Sequence, residues 1–352
     1  MHSVFGATGQ GLVSFSAATA LPGSSTRAAT RCRRFSSWHS FFAVIFLVHA
    51  GSLLAQDNPA QRLLTEMSEA VRTTDYQGSF IFEHNGQIDA LRLFHAGGHP
   101  ERERLISMSG ARSEIVRDDT SFTCLQSGLP TVIFENRVGA RLLPLLPDAS
   151  ALAASGHYAT SVAGADRVAG YRARIIEVSA RDGYRYGYRL WLDEGSHLLL
   201  RSALVDSARR TLEQFMFVAL DVGAKPKESD LQAASDAGIS APAEEAALPG
   251  PPQWRVANPP PGFAFLRAQR PAQGPTPAEH HLYSDGIADV SVYVEPRDAN
   301  VAAAQDRSMA RGALHVYSRD VGAWRVTALG DVPRATVERI ARSTEPVTQD
   351  RH

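Results

Sequence analysis

Apolar and polar residues alternate most clearly along residues 183–220, and this alternation predicts consecutive strands. Between residues 184 and 192 apolar side chains occupy every second position, and Arg185 and Arg189 stand between them. A period of two is typical of a strand with one buried face, so the tyrosines are expected to point inward and the arginines outward. The further strands of this predicted meander are residues 198–205 and 212–220.

The segment that follows residue 57 has helical spacing instead. Asn58 is a favoured N-cap and Pro59 is favoured at the first helical position. Apolar residues recur every three to four positions from Leu63 to Val71, which predicts a helix with one buried stripe that ends near Thr73.

Asn85-Gly86 predicts a β-hairpin, because both residues accept the positive φ of a type I′ turn. A two-residue turn fixes the register and pairs Phe82 with Asp89 and Phe80 with Leu91. Phe80, Phe82 and Leu91 are therefore expected on one face of the sheet.

Further strand patterns lie at residues 103–108, 114–118, 121–125, 131–135, 158–162, 166–168 and 172–179, and a loop with a short helix is predicted at 142–155. Together these elements predict a large curved antiparallel sheet of about ten strands over residues 57–222. A sheet of that size must curl, close or be covered.

Periodicity and apolar content fall at residues 223–253, which predicts a linker with one helical turn around Leu231. A smaller α+β domain is predicted at residues 254–345, followed by a tail at 346–352. Its strand patterns lie at residues 254–256, 259–263, 280–284, 287–295, 313–318 and 323–329, with turns at 285–286 and 319–322. Pro333 opens the closing helix.

Residues 1–55 are interpreted as a secretory signal peptide. Within them, four arginines are followed by an apolar run at 41–48 and then by small residues, and no residue is acidic. The run is shorter than the ~20 residues of a transmembrane span, and a retained amphipathic anchor is the alternative. The stretch before Arg31 is long for a signal, which favours a start codon assigned upstream of the true one.

The 352 residues are 44% hydrophobic and 21% charged, which suits one or two globular domains. Removal of residues 1–55 changes the net charge from −1 to −5, and this charge argues against a nucleic-acid partner. The same removal takes away Cys32. Cys124 is then the single cysteine, expected to be buried and inert.

No sequence motif for catalysis or cofactor binding is present, so no enzyme activity and no cofactor are expected. His280-His281 is the pair most like a metal site. Adjacent strand residues point to opposite faces, so a surface or half-buried position without a metal is expected. Asp118-Asp119 is expected to serve a turn rather than acid–base chemistry.

Five sequence motifs resemble the MucB/RseB family of periplasmic regulators. They are Asp-Gly-Tyr-Arg-Tyr-Gly-Tyr-Arg-Leu-Trp-Leu-Asp at 182–193, Leu-Glu-Gln-Phe-Met-Phe at 212–217, Pro-Pro-Gly-Phe at 260–263, His-Leu-Tyr-Ser-Asp-Gly-Ile-Ala at 281–288 and Gly-Asp-Val-Pro at 330–333. The resemblance covers residues 57–345. It implies a LolA/LolB-like half-barrel with lidding helices and a smaller α+β C-terminal domain.

The resemblance also implies a function in the periplasm. Such proteins are expected to bind the periplasmic part of a membrane anti-sigma factor of the MucA/RseA type. Bound there, they shield it from proteolysis and restrain the envelope-stress sigma factor. Acyl chains of lipoprotein or lipopolysaccharide are the ligands expected to release it, and homo-oligomer formation is left open.

Two functional classes remain, a binding regulator and a lipid or lipoprotein carrier. A carrier should work as a single domain, so the predicted second domain favours the regulator. The candidate acyl-binding residues are Phe80, Phe82, Leu91, Tyr186, Tyr188 and Leu190. For the same six residues, ordinary core packing against the first helix is the alternative.

Overall fold

The computed structural model describes residues 58–110, 113–119, 122–125, 142–232, 246–270, 277–297 and 306–347, with backbone alone at 122–125 and 246–247. The predicted signal at 1–55, the predicted strand at 131–135 and the Cys124 side chain lie outside this description. The segment Ala55–His352 forms one compact unit. No helix in the described part of the chain has the length and apolar character needed to cross a membrane.

The described residues form three α-helices and three antiparallel sheets. The helices are α1 (Pro59–Thr73), α2 (Ala149–Ser155) and α3 (Arg334–Arg342). The largest sheet has ten strands: β1 (Tyr76–His84), β2 (Gln87–Ala96), β3 (Arg102–Ser107), β4 (Glu114–Arg117), β5 (Phe122–Leu125), β6 (Tyr158–Val168), β7 (Tyr171–Ala180), β8 (Gly187–Asp193), β9 (Leu199–Val205) and β10 (Thr211–Val222).

The two other sheets contain the remaining strands. These are β11 (Ala246–Ala247), β12 (Trp254–Val256), β13 (Ala264–Arg270), β14 (Glu279–Ser284), β15 (Asp289–Pro296), β16 (Arg307–Arg311), β17 (Leu314–Val321), β18 (Trp324–Gly330) and β19 (Thr344–Pro346). Strands β12 and β19 pair with each other, and the other seven form the smaller sheet in the order β11-β13-β14-β15-β18-β17-β16.

Helix α1 begins as its sequence predicts. The Asn58 side chain accepts a hydrogen bond from the Ala60 amide, with Pro59 in the first turn. The buried stripe contains Leu64, Met67 and Val71, whereas Leu63 is only half-buried. One face of the helix therefore packs against the large sheet.

The hairpin between β1 and β2 has the predicted register, with Phe82 opposite Asp89 and Phe80 opposite Leu91. Asn85 and Gly86 have φ values of 52° and 74°, which agrees with a turn that needs two left-handed residues. The large sheet then has the order β5-β4-β3-β2-β1-β10-β9-β8-β7-β6.

The large sheet is strongly curved. The Tyr171 hydroxyl on β7 donates a hydrogen bond to the Leu220 carbonyl on β10 at 3.0 Å. Two strands lie between them, so in a flat sheet they would be about 14 Å apart, farther than a tyrosine side chain reaches. The curved antiparallel sheet with covering helices confirms the predicted fold class.

Helix α1 crosses the concave face of the large sheet. At its start the Asn58 amide donates to the Thr160 hydroxyl on the outermost strand β6, at 2.8 Å. At its end Thr73 lies against Gly97, where an added Cβ would stand 2.3 Å from the Thr73 carbonyl oxygen. The helix therefore spans the face from β6 to the end of β2.

Several boundaries differ from the prediction. Residues 158–168 are one strand, β6, with a bulge between Val162 and Gly164 that interrupts the alternation. Strand β17 continues to Val321, so the turn before β18 is shorter than the predicted 319–322 and lies at 322–323. Strands β13 and β16 were not predicted: β13 has an irregular register, and all five residues of β16 are exposed. The predicted helical turn is a 3₁₀ turn at Glu228–Asp230.

Phe82→Ala should lower the free energy of unfolding by ~3–5 kcal/mol, because Phe82 is 2% exposed within the core beneath α1. Ile88→Ala is the matched control on the same hairpin. Ile88 is 67% exposed, so its loss should change stability by less than ~0.5 kcal/mol. Urea denaturation measures both, and equal small effects would contradict the burial of this face.

Candidate functional site: the concave face and the junction between the sheets

The concave face of the large sheet contains most of the candidate acyl-binding residues. Phe80, Phe82, Leu91 and Leu190 are at most 2% exposed and share one core with α1. Tyr188 packs at the margin of that core. Tyr186 lies elsewhere, in a cluster with Leu204 and Ala313. In this conformation α1 occupies the space in front of the face, and acyl binding there stays a prediction.

An open groove of about 820 Å³ adjoins this core. It is bounded by α1 on one side and by the chain leading into α2 on the other. Its lining residues are Thr65, Ser68, Leu143, Leu146, Pro147, Asp148, Ala149, Ser150, Ala153 and Ala154. Leu143, Leu146 and Ala149 also belong to or pack against the core, so the groove leads from solvent to the apolar interior. Its volume suits a medium-sized organic ligand.

Arg185 is buried, so the expectation that it points outward is wrong. Strand β8 begins only at Gly187, and the period-two rule does not hold for the irregular residues before it. The Arg185 guanidinium lies 2.7 Å from Asp182 and 2.8 Å from Asp285, and it donates to the Pro261 carbonyl at 2.6 Å. The contact to Asp285 is ionic, since the Nε–H is not aligned for a hydrogen bond.

The partner carboxylate, Asp285, is equally well enclosed. Neither the Asp285 nor the Arg185 side chain is exposed to solvent. Asp285 Oδ1 accepts hydrogen bonds from the amides of Ile287 and Ala288, and Oδ2 accepts one from the Tyr158 hydroxyl. Burial, followed by the charge of Asp285, raises the pKa of Tyr158 above its usual value. The phenol therefore stays a proton donor.

The two tyrosines beside Arg185 contact α3 and the smaller sheet. The Tyr184 carbonyl accepts a hydrogen bond from the Thr336 hydroxyl at 2.6 Å. The Tyr184 hydroxyl accepts one from Arg339 at 2.9 Å. The Tyr186 hydroxyl lies 3.3 Å from His315 Nδ1. Residues 184–186 therefore attach the large sheet to α3 and β17, and we call this contact region the junction.

Glycines permit close approach at the junction. A Cβ at Gly262 would lie 2.4 Å from the His157 ring, and one at Gly312 would lie 2.4 Å from the Asn85 side chain. Both glycines have positive φ, 86° and 59°, which disfavours any other residue. The Asn85-Gly86 hairpin of the large sheet thus packs directly on the β16–β17 turn.

A buried carboxylate, Glu213 on β10, also lies at the junction and is 2% exposed. Burial, and then the charge of Asp331, raise its pKa from the usual 4.5 to about 8, while the Ala313 amide acts in the opposite direction. Its Oε1 has no hydrogen-bond partner among the described residues. A proton on Glu213 therefore keeps the junction uncharged at this point.

The histidine pair was placed incorrectly by the sequence pattern. His280 and His281 are 7% and 2% exposed, so the expected surface or half-buried position is wrong. His281 Nε2 lies 2.6 Å from Glu279, whereas the His280 ring stacks on Tyr293. Asp119 accepts a hydrogen bond from the Glu101 amide, a loop contact that agrees with the expected structural role.

A cluster of buried charges on β2–β4 was missed altogether. His95, Glu103 and Arg117 are at most 4% exposed and Glu101 is 7% exposed. Glu103 lies opposite His95 on one side and Arg117 on the other. Glu101 and Glu103, two positions apart, could have suggested a shared face, but their partners are set by the strand register.

Arg185→Ala should lower the free energy of unfolding by ~3–5 kcal/mol, because it leaves Asp285 buried without its counter-charge. Arg189→Ala is the control from the same motif. The Arg189 side chain is 45% exposed, so its removal should cost less than ~1 kcal/mol. Urea denaturation of Arg185→Ala, Asp285→Ala and the double variant checks this, and strictly additive losses would contradict the pairing.

Stability should fall as the pH rises from about 4.5 to about 8. The unfolded chain ionises Glu213 near 4.5, whereas the folded chain holds the proton until about 8. The loss should be on the order of 5 kcal/mol, at 1.36 kcal/mol per pH unit, and should level off above pH 8. Glu213→Gln should remove this part of the pH dependence in thermal melts. An unchanged pH profile in the variant would contradict the assignment.

Models of the MucB/RseB N-terminal domain and C-terminal domain match residues 59–235 and 249–345. The sigma factor AlgU regulatory protein MucB of Pseudomonas aeruginosa is 35% identical over 313 residues, covering 85% of this chain and 96% of that protein. The sigma-E factor regulatory protein RseB of Escherichia coli is 30% identical, covering 83% and 94%.

Solved structures give the same result. MucB in complex with the periplasmic part of MucA aligns with a TM-score of 0.68 and 32% identity, over 82% of this chain and 100% of that one. A MucA/MucB complex of Pseudomonas aeruginosa aligns with a TM-score of 0.69 and 33% identity, over 82% and 99%. The chain therefore belongs to the MucB/RseB family of sigma-factor regulatory proteins.

Proposed function

We propose that this protein is a periplasmic negative regulator that binds the periplasmic part of a MucA/RseA-type membrane anti-sigma factor. Bound there, it shields the anti-sigma factor from proteolysis and so restrains the envelope-stress sigma factor. The observation that carries the proposal is the similarity to MucB solved with the periplasmic part of MucA, which extends over 82% of this chain. In this proposal residues 1–55 direct export, and the protein acts by binding rather than catalysis.

The contact between the two sheets supports a role for the whole chain. The proposed division is a half-barrel domain at 57–222, a linker at 223–253 and a smaller domain at 254–345. Arg185, Asp285 and Tyr158 exchange polar contacts across the junction without access to solvent. A partner that touches both domains would therefore meet a preformed surface, which lowers the ordering cost of binding.

Ligand control is the second part of the proposal. Acyl chains of lipopolysaccharide or lipoprotein would enter by the 820 Å³ groove and displace α1 from Phe80, Phe82, Leu91 and Leu190. Tyr188 lies at the margin of this core, and Tyr186 lies at the junction, where the displacement of α1 would change its contacts. Changing the ratio of free to partner-bound protein from 1:99 to 99:1 requires the ligand to bind the free form ~5.5 kcal/mol more tightly than the partner-bound form. About seven buried methylenes at ~0.8 kcal/mol each supply it.

A lipid or lipoprotein carrier is the alternative function, favoured by the same groove and apolar core. A carrier would exchange its acyl ligand whether or not an anti-sigma factor is present. The buried ion pair at the junction argues for the regulator, because a carrier would not need its sheet fixed to a second one.

The test is calorimetric binding of the purified protein to the periplasmic segment of a MucA-type anti-sigma factor, followed by titration with lipid A. We expect a stable complex that saturating lipid A dissociates. Ala153→Trp places an indole ring in the groove from an exposed position and narrows it. The variant should bind the partner normally but need at least tenfold more lipid A for release. Ala163→Trp, exposed on β6, is the control.

Each outcome separates the two parts of the proposal. A protein that does not bind the anti-sigma segment contradicts the regulator. A complex that survives saturating lipid A contradicts ligand release while leaving partner binding intact. Equal lipid A requirements for Ala153→Trp and Ala163→Trp would place the ligand outside the groove.

A further inference from the structure

The buried charge cluster on β2–β4 brings together three groups that commonly bind metals. His95 on β2 faces Glu103 on β3 across the strand pair, and Glu101 lies just before β3. One potential ligand atom from each residue lies within 4.8 Å of the other two. The strand register, and not sequence proximity alone, creates this grouping.

The orientation of the His95 ring is fixed by a backbone carbonyl. Nδ1 lies 2.8 Å from the Thr74 carbonyl oxygen, which can only accept, so Nδ1 carries the proton. In the neutral ring Nε2 then has a free lone pair. This lone pair points at Glu101 Oε1, 3.3 Å away. Metal-binding histidines commonly have this arrangement, with the second ring nitrogen bonded to a carbonyl.

The distance between Nε2 and Oε1 fits two ligands of one ion better than a hydrogen bond. Charge-assisted N–H···O bonds are about 2.7–2.9 Å long. Among the described residues, the buried histidines His281 and His84 contact carboxylates at shorter distances, 2.6 Å to Glu279 and 2.9 Å to Asp89. At His95 the separation is 3.3 Å, close to the ~3.4 Å between ligands of a tetrahedral zinc ion with ~2.1 Å bonds.

Glu103 supplies an independent indication. Its Oε2 accepts hydrogen bonds from Arg117 Nε at 2.7 Å and from the Leu142 amide at 3.2 Å. Its Oε1 is buried and has no hydrogen-bond partner in the described part of the chain. A buried carboxylate oxygen without a partner is costly, and a cation beside it would remove that cost.

We propose that His95, Glu101 and Glu103 bind a divalent metal ion, with Zn²⁺ as the preferred one. One imidazole and two carboxylates suit zinc, whereas Ca²⁺ and Mg²⁺ need more oxygen ligands. Arg117 orients both carboxylates through hydrogen bonds. With His95 neutral, these groups carry one net negative charge, which favours a cation. The ion would connect β2 to β3, and His95 would connect it to the end of α1 through its hydrogen bond to the Thr74 carbonyl.

The experiment uses untagged protein dialysed against a chelator and titrated with ZnCl₂ in a calorimeter. One ion should bind per chain, and the thermal melting temperature should rise. MgCl₂ and CaCl₂ at the same concentrations should have no comparable effect. Bound Co²⁺ should show visible absorption, which reports the ligand set directly.

Two substitutions address the ligands. His95→Asn retains a donor for the Thr74 carbonyl but removes the Nε2 ligand, and Glu103→Gln removes the free carboxylate oxygen. Each should weaken zinc binding at least tenfold. His281→Gln, at the other buried histidine–glutamate pair, is the matched control and should bind zinc normally. If Glu103→Gln does not fold, His95→Asn and the cobalt spectrum decide.

Two outcomes would overturn the proposal. The first is the absence of stoichiometric zinc binding, which would mean that the cluster is complete without a metal ion. The second is zinc binding that His95→Asn leaves unchanged, since the ion would then lie elsewhere.

Discussion

The need to keep a buried charge paired is the constraint on which the junction depends. Arg185 lies just before β8 of the large sheet, Asp285 lies between β14 and β15 of the smaller sheet, and neither side chain is exposed to solvent. Separating the sheets would leave each charge buried without its counter-charge, which is strongly destabilising. Exposing the charges to water instead would also expose the apolar residues packed around them. Asp182 and the Pro261 carbonyl accept hydrogen bonds from Arg185, and Tyr158 donates one to Asp285. The ion pair therefore determines how the two sheets meet.

The five motifs that resemble the MucB/RseB family meet at this junction. Residues 182–193, 260–263 and 281–288 supply Arg185, its carbonyl acceptor Pro261 and its counter-ion Asp285. Residues 212–217 and 330–333 supply Glu213 and Asp331, and the charge of Asp331 helps to keep Glu213 protonated. Motifs that are far apart in sequence therefore meet at one contact. Their residues join the two sheets as well as forming parts of them.

Local features were predictable from the sequence, and contacts between distant segments were not. Asn58-Pro59 and Asn85-Gly86 act within a few residues, so the start of α1 and the first hairpin register are as predicted. The burial of Arg185 depends on Asp285, a hundred positions away. A period-two pattern cannot indicate where a strand begins, so the pattern predicts an outward position for Arg185 although the side chain is buried. His95, Glu101 and Glu103 likewise meet only through strand register.

Residues 185–190, which include the first part of β8, link the concave face to the junction. Leu190 lies in the core beneath α1, and Arg185, five residues earlier, holds the smaller sheet. A ligand that displaces α1 can affect a partner at the smaller sheet only if this segment has two arrangements of similar energy. Two groups at the junction, Glu213 on β10 and Arg185, each have one buried polar atom without a hydrogen-bond partner among the described residues. Groups whose hydrogen-bonding capacity is unused lose fewer interactions when the two sheets shift, so this contact is less costly to rearrange than a fully bonded one.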